Sequence, residues 1–136
     1  MTRRLDLATR ASRTLDEVLG EPPSTIVRDA SIQRFQYTFD ATWKAAQRYL
    51  RDCEGLDAGS PAEAMRRCGA LGILDEHWTR QALEMLQDRN LAAHTYKEEV
   101  AVQVAANLPR HAAVLRAWHL AIQDRLRGLQ SQQLPK

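Results

Sequence analysis

The sequence predicts an all-α fold, an antiparallel bundle of about five helices, on three observations. Apolar residues recur at steps of three and four along most of the chain, so that each segment has one buried and one solvated face. Serine, proline, glycine and aspartate fall where helices need caps and stops. No stretch alternates apolar and polar residues convincingly enough to be a strand, and no internal repeat is present.

Leu5 to Leu19 is the first helix, with Leu7, Ala11, Leu15 and Val18 expected on its inner face. Gly20 and Pro22-Pro23 end it, since proline cannot continue the hydrogen-bond ladder. The second helix runs from about Val27 to Asp52, and its Ile32, Phe35, Phe39, Trp43 and Leu50 form a stripe wide enough for a bundle core. Gly55 to Gly59 interrupts the pattern. Ser60-Pro61-Ala62-Glu63 restarts it with a serine cap, a proline at the first helical position and a glutamate completing a capping box, and this short helix reaches about Ala70. Past Gly72, Asp75 caps a fourth helix that turns Trp78, Ala82, Met85 and Leu86 inward. Thr95-Tyr96-Lys97-Glu98 has the form of a further capping box, which predicts a helix from Thr95. A final helix is expected to begin near Asn107 and Pro109 and to bury Leu115, Trp118, Ile122 and Leu129. Residues 1–130 are thus expected to form a single helical domain, followed by a polar tail over residues 131–136.

Composition excludes several classes. The 136 residues are enough for one ordinary core and too few for two, and 44% hydrophobic with 26% charged residues is ordinary for a soluble domain. No apolar run approaches the ~18 residues of a membrane span. Arg10, Arg13, Asp16 and Glu17 interrupt any apolar export core in Met1 to Gly20, so the expected location is the cytoplasm. Cys53 and Cys68 lack metal-ligand spacing and are expected to be buried or half-buried thiols. The net charge of +2 does not by itself announce nucleic acid, although arginine, the better phosphate fork, outnumbers lysine.

The chemistry concentrates in Asp88-Arg89-Asn90-Leu91-Ala92-Ala93-His94-Thr95-Tyr96. On a continuous helix Arg89 and His94 would lie about 140° apart, so they can share a site only where the helix bends, and the break is expected between Ala93 and Thr95. Guanidinium holds phosphate oxygens, and histidine moves a proton near neutral pH. Read locally, the bland alternative stays open: a histidine at a helix end commonly caps carbonyls, an arginine beside Asp88 commonly makes a solvated ion pair, and a tyrosine commonly closes a core.

Arg89 to Tyr96 resembles the Arg-x-x-x-x-His-x-Tyr motif of the HEPN superfamily, specifically the HepT-type toxins paired with a minimal nucleotidyltransferase (MNT) antitoxin. Arg34-Phe35-Gln36-Tyr37-Thr38-Phe39-Asp40-Ala41-Thr42-Trp43-Lys44 is similar to the aromatic second helix of that group, also called nucleotidyltransferase substrate-binding proteins. The resemblance implies a HEPN-like homodimer whose motifs share one cleft. It implies a metal-independent endoribonuclease with Arg89 and His94 catalytic, Asn90 and Asp40 supporting, and no metal or cofactor. It further implies an MNT partner that silences the toxin, in some members by adenylylating the tyrosine at the position of Tyr96. Asp40 stands where the family more often has glutamate, a longer acid. The rival implication, carried by the older family label, is a non-catalytic subunit that binds nucleotide for the partner transferase.

The stripe of Phe35, Phe39 and Trp43 suits a core better than a base-stacking platform. His77, His111 and His119 are expected at the surface or at caps. Arg110, Arg116, Arg125 and Arg127 could form a basic flank for RNA, although solvated helix faces are commonly this charged.

Overall fold

The computed structural model describes residues 2–133, which form α1 (Thr2–Leu19), α2 (Thr25–Glu54), α3 (Pro61–Ala70), α4 (Glu76–Leu91) and α5 (Glu98–Gln133), with a single 3₁₀ turn, Ala92–His94, between the last two. The five-helix bundle expected from the periodicity is what the chain builds.

Caps set most of the boundaries. Ser24 Oγ accepts from the Val27 amide at 3.0 Å to open α2, and Gly55, at φ 66° in the left-handed region, closes it. Ser60 Oγ accepts from the Glu63 amide at 3.2 Å, while Glu63 Oε2 reaches back to the Gly59 amide at 3.0 Å. Asp75 Oδ1 opens α4 on the Trp78 amide at 2.7 Å.

The chain reverses between α1 and α2. Arg34 Nη1 donates to the Thr14 carbonyl at 2.8 Å and the hydroxyls of Thr14 and Tyr37 are 2.7 Å apart, while Val18 and Val27 line one groove nearer the turn. α5 then packs against α1, α2 and α4. Its Trp118, entirely buried, donates its indole N–H to Cys68 Sγ at 3.4 Å and so pins α3 to the core. Phe35, Phe39, Tyr49, Leu50, Met85 and Ile122 fill the interior, and each such side chain contributes about 1.5–3 kcal/mol by leaving water. Cys68 is buried and Cys53 half-buried, both free, as expected; burial pushes the Cys68 thiol up to about 11.

Four expectations need correction. The inner face of α1 is Leu5, Ala8, Ser12, Leu15 and Val18, whereas Leu7 is half exposed and Ala11 only partly covered. Both phases contain Leu15 and Val18, and only α2 and α5 decide between them. Thr95 does not cap a helix: its hydroxyl donates back to the Ala92 carbonyl at 3.2 Å, and α5 begins three residues later at Glu98. No new helix starts near Asn107 and Pro109, because α5 runs through Pro109 without a break. The expected tail is helical over residues 131–133, and the rest of it, residues 134–136, lies outside the described residues.

Candidate functional site

The motif occupies the joint where α4 ends. α4 carries Arg89 and Asn90 in its last turn, the 3₁₀ turn carries His94, and Tyr96 sits in the turn before α5. The bend expected near Ala93 is therefore present. It arises because the helical ladder tightens from Ala92 onward and the chain then turns, with the Lys97 amide donating to the His94 carbonyl at 3.1 Å.

Arg89 does not pair with its neighbour Asp88. Its Nη2 donates to both oxygens of Asp40 on α2, at 3.2 and 3.3 Å, and its guanidinium carbon lies 5.7 Å from the centre of the Phe39 ring. The shorter acid thus reaches the arginine. Side-chain exposures of 28% for Arg89 and 43% for Asp40 leave the pair accessible to a ligand. Arg89 Nε is buried without a partner, so the guanidinium is held by one edge only.

His94 and Tyr96 form a second pair: His94 Nδ1 is 3.4 Å from the Tyr96 hydroxyl, and their rings meet edge-on with centroids 5.9 Å apart. Lys97 Nζ lies 5.9 Å from the centre of the tyrosine ring, and Tyr96 is 77% exposed. Tyr96 therefore does not close a core. Asn90 is exposed. No hydrogen bond joins the Arg89–Asp40 pair to the His94–Tyr96 pair among the described residues.

Beneath the motif is a buried polar cluster that the sequence did not disclose. Asp88 Oδ2 accepts from His111 Nε2 at 2.6 Å and from Asn107 Nδ2 at 3.0 Å, both on α5. His111 stacks on Phe35 with centroids 5.4 Å apart, and Phe35 meets Phe39 edge-on at 6.2 Å, so the cluster and Arg89 lean on the same aromatic pair. Burial pushes His111 below its ordinary titration range despite the opposing pull of Asp88. The neutral ring then donates through Nε2, and its Nδ1, buried without a partner, is the bare lone pair. The expectation of surface or capping roles is thus overturned for His111 and His119, which are 1% and 5% exposed; His77 is at the surface against Trp78. An aspartate in phase with Ala82 and Met85, on the buried face of an amphipathic helix, was the signal available.

The four arginines considered as an RNA flank are largely committed elsewhere. Arg116 pairs with Asp16 at 2.7 Å, Arg125 donates to the Leu71 carbonyl at 2.6 Å, and Arg127 lies 3.9 Å from Asp124, which leaves Arg110. Among the described residues, no group of three or more histidine, cysteine, aspartate or glutamate side chains is arranged to hold a metal ion, and no helix is long and apolar enough to cross a membrane.

A family model described as nucleotidyltransferase substrate binding protein like matches residues 3–124. Among solved structures, the chain is similar to a crystal structure of a protein from Thermus thermophilus, with 43% identity over 88% of this chain and 98% of that one, and a TM-score of 0.78. It is also similar to a mutant of the toxin-antitoxin MntA-HpeT, with 15% identity over 90% of this chain and 96% of that one, at a TM-score of 0.75; that likeness is one of fold. No curated protein matches the chain.

Proposed function

Because the chain belongs to the family of nucleotidyltransferase substrate binding protein like chains, we propose that it is a HEPN-type toxin: a metal-independent endoribonuclease countered by a minimal nucleotidyltransferase antitoxin. The observation that carries this reading is the joint itself, where an accessible guanidinium and an exposed imidazole stand on either side of a helix end. In this chemistry His94 takes the proton of an RNA 2′-hydroxyl, whose oxygen then attacks the neighbouring phosphorus. The bond to the 5′-oxygen breaks, that oxygen takes a proton from an acid or water, and a 2′,3′-cyclic phosphate remains. Arg89 holds the charge that builds on the phosphoryl oxygens, through the guanidinium edge that Asp40 does not cover.

Asp40 orients Arg89, and exposed Asn90 supports the phosphate. A second copy of the chain, joined so that two motifs face one cleft, completes the site, since His94 and Tyr96 face solvent here. Tyr96 suits covalent silencing. Its hydroxyl attacks the α-phosphorus of ATP on the partner transferase, pyrophosphate leaves, and His94 Nδ1 is positioned to take the phenolic proton. The added AMP would fill the cleft with bulk and negative charge.

The second reading, a non-catalytic subunit that binds nucleotide for the transferase, is favoured by the description of the family itself. One experiment separates them: incubate the purified protein with RNA in EDTA, beside Arg89→Ala and His94→Ala variants. Cyclic-phosphate ends that disappear in both variants support the ribonuclease. Intact RNA with folded, unmodified protein moves the assignment to the binding subunit.

A further inference from the structure

We propose that the polar trough beside Tyr96 is a subsite for a nucleobase that carries an exocyclic amine, adjoining the phosphate position at Arg89. The subsite stands on its own geometry, and only its place next to a scissile phosphate rests on the ribonuclease reading. The trough is a cavity of about 460 Å³ between α2 and the turn before α5, and Tyr96 lines it with Arg28, Asp29, Gln33, Gln36, Thr95 and Glu98.

Its charge selects a base over a phosphate. Carboxylates outnumber the one arginine, and Arg28 is already engaged by both, through Nε to Asp29 at 3.2 Å and through Nη1 to Glu98 at 2.6 Å. An anion entering here meets two carboxylates and a cation already bound. A neutral base meets no such penalty.

Its hydrogen-bonding groups select among bases. Gln33 and Gln36 make no side-chain hydrogen bond within the chain among the described residues, so both amides are available. Thr95 spends its hydroxyl proton on the Ala92 carbonyl and therefore presents lone pairs. With two carboxylates added, the lining is rich in acceptors and keeps the amide N–H groups as its uncommitted donors. A base with an exocyclic amine matches this: the amine of adenine, guanine or cytosine donates to the acceptors while a neighbouring ring nitrogen or carbonyl accepts from a glutamine amide. Uracil carries no amine and flanks its single ring N–H with two carbonyl oxygens, so it fits least.

Position ties the trough to the motif. Asp29, Gln33, Gln36 and Asp40 recur at steps of four, three and four, so they lie along one face of α2, and Asp40 holds Arg89. Along that face Gln36 is ~6 Å and Gln33 ~10 Å from the level of Asp40, the displacement expected between a phosphate and its own base. The base could belong to RNA or to an adenylyl group on Tyr96.

The test is a titration of the unmodified full chain with AMP, GMP, CMP and UMP, followed by NMR on the glutamine side-chain amides, with RNA cleavage sites mapped alongside. AMP, GMP and CMP are expected to bind more tightly than UMP and to shift the Gln33 and Gln36 amide signals, and Gln36→Ala to weaken AMP by about tenfold with an unchanged melting temperature. Wild-type cleavage biased against uracil and evened out in Gln33→Ala and Gln36→Ala assigns the base to RNA. AMP binding that depends on Gln36 while the cleavage bias does not assigns it to the adenylyl group. Equal binding of all four nucleotides, or shifts confined to Arg89 and His94, overturns the subsite. AMP binding at the glutamines by a protein that leaves RNA intact sinks the ribonuclease reading and spares the subsite.

Discussion

His111 Nε2 donates to Asp88 Oδ2 at 2.6 Å directly beneath the helical turn that carries Arg89. A buried carboxylate is expensive unless hydrogen-bonded, so this contact and the Asn107 bond at 3.0 Å fix the last turn of α4 against α5. The motif arginine thus projects from a clamped turn rather than a fraying one.

Stability should fall on mild acidification. His111 and His119 are both held below their ordinary value of 6.5, chiefly by burial, so the unfolded chain takes up these protons first as pH drops. Stability is then full above about pH 7 and is lost as pH falls through 6.5 toward the depressed folded values, by up to about 1.4 kcal/mol per pH unit for each histidine. Denaturant midpoints measured from pH 8 to 5.5 should show this decline, with a shallower slope in His111→Gln. A flat midpoint over that window contradicts the burial of neutral rings.

The Asp40–Arg89 pair should matter to activity more than to folding. The pair is partly solvated, so a double-mutant cycle on Asp40→Ala and Arg89→Ala should give a stability coupling of only about 1 kcal/mol or less. Loss of Arg89 should lower RNA cleavage by about 10²–10³, the usual effect of removing one charge-stabilising donor. Arg89→Lys should not restore it, because an ammonium cannot serve Asp40 and a phosphate as a planar fork does. A lysine variant with wild-type cleavage would argue that Arg89 is a structural tether.

Tyr96→Phe separates ring from hydroxyl. With the residue 77% exposed, the substitution should change stability by no more than about 0.5 kcal/mol. Incubation with ATP and the partner transferase should add AMP mass to the wild-type chain and none to Tyr96→Phe. AMP found on the variant would place the modification on another residue.

How far the sequence discloses all this depends on range. Local chemistry is readable: Ser60, Glu63 and Asp75 cap as their spacing implies, and the chain bends between Arg89 and Tyr96 as expected. What depends on partners across the bundle is not. Leu7 and Ala11 fit a helical period as well as Leu5 and Ala8 do, and only the neighbouring helices choose between the phases. Asp88 adjoins Arg89 in sequence and so suggests itself as the partner, yet adjacent residues on a helix point apart, and the arginine finds Asp40 from 49 positions away instead. His111 reads as a surface residue because nothing local reveals a carboxylate 23 positions upstream.

Pro109 is the clearest case of packing overriding a local signal, and it yields the last prediction. Proline favours the first turn of a helix, which is why the sequence suggests a start there, yet Ala101, Val104, Leu108, Ala112, Leu115, Trp118 and Ile122 are buried continuously along α5 on both sides of it. Breaking the helix would strip that stripe from the core, so the chain keeps the helix and forgoes the bond from residue 109 to the Ala105 carbonyl. Pro109 itself is exposed, so replacing it opens no cavity. Pro109→Ala restores the N–H and should stabilise the protein by about 1–3 kcal/mol, raising the melting temperature by about 3 °C or more for each kcal/mol. Pro109→Gly also restores the N–H but gives back about 1 kcal/mol in helix propensity, so it should fall between wild type and the alanine variant. Melting curves in that order assign the cost to the missing hydrogen bond; an alanine variant no more stable than wild type would show that the backbone around residue 105 has already adapted to the proline.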